Sequence, residues 1–81
     1  MNALILNEIL YDLDPARTAC KENETFDEYF SISSMIIEEF KISNEIESAI
    51  VNVFNSMFWK GILNNDKVQL ISSKFKEVSH V

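Results

Sequence analysis

Glycine, proline, cysteine and histidine each occur only once in these 81 residues. So little glycine and proline argues against a turn-rich all-β chain. The apolar fraction of 47% is that of a folded protein rather than a disordered one. A lone cysteine excludes an internal disulfide framework and suits a reducing compartment. With Gly61 as the only glycine, no glycine-rich phosphate loop can be built. Long apolar runs are missing as well, since nothing approaches the roughly 20 residues needed to cross a bilayer. The greasy opening, Met1 to Leu13, lacks a basic region and carries Asn7, Glu8 and Asp12, so it does not read as a signal peptide. The expected location is cytoplasmic. The length suits one domain, residues 1–81, burying a little over about 60% of its unfolded surface.

Positive charge is scarce in the first half. Residues 1–47 hold 11 acids against 3 bases, a net of −8, whereas residues 48–81 hold 2 acids against 4 bases, a net of +2. A block of that sign repels phosphate backbones and disfavours nucleic acid as a partner. Nothing points to a membrane. The acidic half would attract a basic protein, although acidic surfaces also simply keep proteins soluble.

What is present is amphipathic helix, and the fold class expected is all-α, an irregular four-helix array. In a first helix over Ala3 to Leu13, Leu6, Ile9, Leu10 and Leu13 follow the spacing of one buried stripe, with Glu8 and Asp12 opposite. Asp14 before Pro15 should stop it, because the residue preceding proline disfavours the α region. A long acidic connection, Asp14 to Glu24, contains Cys20 and runs into Thr25-Phe26-Asp27-Glu28-Tyr29. Long irregular loops in small domains usually have a function or a packing reason. Thr25 and Glu28 have capping-box spacing for a second helix, in which Phe26, Tyr29, Phe30, Ile36, Ile37 and Phe40 form the stripe. Ser33 sits within it, small enough to let another helix approach.

A third helix is expected over Asn44 to Lys60, capped by Asn44 or Ser43. Its core face holds Ile46, Ala49, Ile50, Val53, Phe54 and Met57, widened by Val51 and Phe58. Gly61 offers a left-handed exit, with a later stop at Asn64 as the alternative. The fourth should start after Asn65-Asp66 with Gln69 in the reciprocal capping position, burying Val68, Ile71, Phe75 and Val78. Joints at Ile42-Ser43 and Asn64-Asn65 would make successive helices neighbours.

Trp59 continues the polar arc of Ser48, Asn52 and Asn55. Large aromatics near helix ends are usually covered, so Trp59 is expected beneath the 14–24 connection or the 61–65 joint. The other reading makes it an exposed interface anchor. Met35, set between Glu28 and Glu39, poses the same question.

Catalytic constellations are lacking. Asp12, Asp14, Asp27 and Glu28 could converge on a hard cation, but no calcium-loop pattern or Glu-x-x-His pair accompanies them. The acids around Cys20 disfavour its thiolate, and no base is paired with it; a small hydrophobe pinning the loop is the simpler role. No enzyme, no metal and no cofactor is expected.

Leu13-Asp14-Pro15, an irregular loop and then a helix start bearing Tyr29 resemble the YugE-like small helical proteins of bacteria. That family has Trp-Asp-Pro where this chain has Leu13-Asp14-Pro15, and a shorter loop. The resemblance covers the first half and implies only an irregular four-helix fold. In general character the chain also resembles the immunity proteins that bacteria deploy against contact-dependent or other polymorphic toxins. Many such toxins are basic nucleases, whose phosphate-binding cleft an acidic protein can cover. On that reading Asp14, Glu22, Glu24, Asp27 and Glu28 supply charge, Glu38 and Glu39 extend it, and Met35 or Trp59 supplies the apolar anchor. The alternatives are a non-enzymatic adaptor or regulatory protein, as a possible homodimer, and, behind it, a metal-assisted enzyme.

Overall fold

In a computed structural model of the chain, which describes residues 3–16 and 29–79, four helices follow one another: α1 (Ala3–Leu13), α2 (Phe30–Ser43), α3 (Ile46–Met57) and α4 (Asn65–Ser79). No strand occurs among the described residues. The expected all-α class is what the chain adopts. Each helix packs on its neighbour in sequence, and α1 closes the ring against α4. The diagonal α2 and α4 meet through side chains: Phe40 and Phe75 lie edge to face with centroids 6.2 Å apart.

The first helix has the expected bounds. Leu6, Ile9 and Leu10 are buried, Glu8 and Asp12 are exposed, and Leu13 packs half-buried against the core. Its stop is more specific than proline sterics alone. Asp14 takes a left-handed backbone (φ 42°), tolerable for an aspartate, and its N–H donates to the Leu10 carbonyl at 2.8 Å. The Asp14 Oδ1 then accepts the Tyr29 hydroxyl at 2.7 Å, while that same hydroxyl accepts the Ala16 N–H at 3.0 Å. Tyr29 is fully buried, so one phenol joins the end of α1 to the start of α2. Lys67 of α4 adds a bond from Nζ to the Pro15 carbonyl at 3.3 Å.

The helix α2 starts at Phe30, with Tyr29 at its N-cap and no side-chain cap bond. Thr25, Phe26 and Glu28, and with them the expected capping box, lie outside the described residues, as does Cys20. The buried set is Tyr29, Ile32, Ser33, Ile36 and Ile37, with Phe40 half-buried. Phe30, expected in this stripe, is 45% exposed. Neighbouring helical positions point about 100° apart, and Tyr29 already holds the inward one. Ile32, on the other edge of the stripe, is buried.

The joints between α2, α3 and α4 differ from expectation. Asn44 ends α2 in a left-handed cap (φ 59°, ψ 22°), its N–H bonded to the Phe40 carbonyl at 2.7 Å, so it cannot also cap α3. The joint is therefore Asn44-Glu45 rather than Ile42-Ser43. The Ser43 Oγ accepts the Glu45 N–H at 3.2 Å within that joint. At the other end α3 stops at Met57, three residues short of Lys60, because the backbone leaves helical geometry at Phe58 (φ −117°, ψ −97°). Phe58 stacks on Phe54 at 5.5 Å, covering the end of the core face, and Met57 is left exposed. Gly61 is left-handed (φ 84°), as expected, but within the 58–64 joint, where its N–H bonds to Asn55 Oδ1 at 3.0 Å. For α4 the cap is Asn64: its Oδ1 accepts the Lys67 N–H at 2.8 Å. Gln69 does not cap. Its amide donates to Glu47 of α3, and Lys76 reaches the same carboxylate at 3.8 Å. Val68, Ile71 and Phe75 are buried, whereas Val78 is exposed at the mouth of a groove left between α1 and α4 beside Ile5.

Ser33 and Ser72 are buried, and neither hydroxyl has a hydrogen-bond partner among the described residues. Their smallness is what the packing uses. Ser33→Ala should therefore leave stability unchanged or raise it by up to about 1 kcal/mol, since it removes a desolvated hydroxyl without opening a cavity. Tyr29→Phe should cost about 1–2 kcal/mol by stripping a partner from both Asp14 and the Ala16 N–H. Urea unfolding followed by circular dichroism measures both; an unchanged midpoint for Tyr29→Phe would remove the clamp from the account of stability.

Candidate functional site

The residues singled out for partner binding fall into four places. Glu22, Glu24, Asp27 and Glu28 lie outside the described residues. Asp14 is half-buried and engaged with Tyr29, a role inside the fold. Met35, Glu38 and Glu39 come together on α2. Trp59 stands apart, beyond the end of α3.

On α2, positions 35, 38, 39 and 42 recur at the spacing of one helical face, a second stripe beside the buried one. Met35 is 40% exposed and Ile42 is 84% exposed, with the two carboxylates between them in sequence. Across from this stripe α3 presents Asn52, Val53 and Ser56. Together they line an open groove of about 370 Å³. Val53 is buried and forms apolar floor; Ser34, Asn52 and Ser56 supply hydroxyl and amide groups. Lys41 lies 3.6 Å from Glu38, but both side chains are well exposed, so the pair is weak. Glu39 is half-buried and makes no ion pair among the described residues.

Ile42 was missed as a site residue because it looked like the hydrophobe of a helix joint. The helix instead continues to Ser43, so Ile42 falls seven residues after Met35 on the same outward face. That i, i+7 relation was legible; the helix end was not.

Trp59 is 63% exposed, against the expectation of cover from the 14–24 connection or the 61–65 joint. The early end of α3 decides this. Once the chain turns at Phe58, Trp59 no longer continues the helical arc. It is held at its inner edge, perpendicular to the Phe58 ring at 6.4 Å. Phe58 stacks on Phe54, and Phe54 lies 6.3 Å from Tyr29. A row of four aromatic rings thus runs from the buried clamp to the surface.

Larger open spaces offer no better chemistry. The space of about 540 Å³ by Phe40, Asn44 and Phe75 opens between helix ends. Among the described residues no three His, Cys, Asp or Glu side chains are grouped to hold a metal ion, and no helix is long and apolar enough to cross a membrane. Of the four acids considered for a cation, Asp27 and Glu28 lie outside the described residues. No protein-family model, curated protein or solved structure matches the chain.

Since the indole is mostly in solvent, Trp59→Ala should change stability by no more than about 1 kcal/mol, whereas Phe54→Ala should cost roughly 3–5 kcal/mol. Trp59 is the only tryptophan, so iodide quenching of its fluorescence reads the exposure directly. A shielded, unquenched indole would contradict the surface placement.

Proposed function

We propose that this chain is a non-catalytic, acidic protein-binding module whose partner is a basic protein. In its most specific form it is an immunity protein that covers the cleft of a nuclease-type toxin from a contact-dependent or other polymorphic system. The observation that carries the reading is the junction of charge and apolar surface on α2: Glu38 and Glu39 stand between exposed Met35 and Ile42 at the rim of an open groove. The α2 wall of the groove belongs to the half of the chain, residues 1–47, that carries a net charge of −8. Carboxylates steer a basic partner and set its register, while apolar side chains supply the residence time. Trp59 is a second exposed anchor of a type enriched at binding hot spots.

A homodimeric adaptor is the competing reading, favoured by the exposed apolar residues Leu4, Met57 and Leu70 at other points of the surface. The net charge of −6 opposes self-association at low salt. Affinity capture by the tagged protein from its native cell extract, washed at low and at high salt, separates the two. A basic polypeptide held at low salt and released at high salt is the expected result. Recovery of the protein alone, with a mass that rises with concentration, would replace the proposal by the homodimer.

A further inference from the structure

The groove between α2 and α3 has a shape and a charge pattern that specify more than a basic partner. Its α2 wall repeats Met35, Glu38, Glu39 and Ile42 over seven residues, about 10 Å of helix, or two turns. The short Asn44-Glu45 joint folds α2 and α3 into a helical hairpin, so the groove is the valley along two adjoining helices. A valley of this kind accepts the ridge of a third helix, and apolar anchors at i and i+7 match the period of one. Methionine at one end adapts to side chains of varied shape. Between those anchors the groove offers carboxylates; Lys41 pairs with Glu38, but that pair is exposed and an incoming ligand can break it.

We infer that this groove receives an amphipathic basic α-helix of the partner protein. Its apolar residues settle between Met35, Val53 and Ile42, and its flanking Lys or Arg side chains meet Glu38 and Glu39. Charge complementarity selects this occupant. An acidic helix would face two carboxylates, and a second copy of this chain would bring a surface that is itself negative overall. The inference rests on the basic-partner reading above and adds the place and the secondary structure of what binds.

The test uses a synthetic helix-forming peptide with leucines at i, i+3, i+4 and i+7 flanked by lysines, and a control peptide with every lysine replaced by glutamate. Each is fluorescently tagged and titrated with the full chain by anisotropy. Two variants are compared with the parent: Glu38→Lys with Glu39→Lys, and Ile42→Asp. Both lie outside the buried stripe of α2, and circular dichroism checks that helicity is kept. The lysine peptide should bind the parent, bind each variant at least about tenfold more weakly, and lose affinity with added salt. The glutamate peptide should bind only the charge-reversed variant. If the lysine peptide binds parent and variants alike, the groove is not its site, although the basic-partner reading survives. If it does not bind at all while the capture experiment still returns a salt-released basic polypeptide, the groove inference alone is overturned. Failure of both experiments removes the two readings together. A dimer in sedimentation that Ile42→Asp dissociates would assign the groove to a second copy instead.

Discussion

A single phenolic hydroxyl ties the end of α1 to the start of α2. Tyr29 donates to Asp14 and accepts from the Ala16 backbone while its ring fills the core against Phe54. That arrangement fixes where α1 stops and where α2 begins, however the residues between them run. It also explains why a buried tyrosine is used here rather than phenylalanine. The left-handed turn at Asp14 leaves an N–H and a carboxylate close to the core, and a group that both donates and accepts satisfies the two at once. Lys67, through the Pro15 carbonyl, ties the same turn to α4. Three of the four helices are therefore referenced to one loop.

The direction of α2 follows from this clamp. With Tyr29 inward, Ile32, Ser33, Ile36 and Ile37 are inward too, and Met35, Glu38, Glu39 and Ile42 are left on the flank beside α3. The groove is thus a consequence of helix phase rather than a separate feature. Rotating α2 by one position would bury a carboxylate or expose an isoleucine, at a cost of several kcal/mol in either case. Core and candidate interface are two faces of one decision.

The aromatic row from Tyr29 through Phe54 and Phe58 leads from the core to the exposed Trp59. Glu47 shows the opposite use of an acid: it is occupied by Gln69 and Lys76, joining α3 to α4. The acids of this chain are therefore not one surface. Asp14 and Glu47 brace the fold, and Glu38 and Glu39 rim the groove.

The sequence alone settled the helical class, the bounds of α1 and the buried stripes centred on Leu6, Ile36, Ile50 and Ile71. These follow from periodicity, a property of the local chain. It could not settle which of Tyr29 and Phe30 points inward, that Asp14 accepts from the Tyr29 hydroxyl, or that α3 breaks off at Phe58 and leaves Trp59 in solvent. The first two depend on a contact between residues far apart in the chain, and the third on side-chain packing at the end of the core face. The phenol needs Asp14 across fifteen positions, and Phe58 leaves the helix with its ring stacked on Phe54. Helix propensity is read a few residues at a time, but the phase of a helix and the point where it ends are chosen by what it packs against.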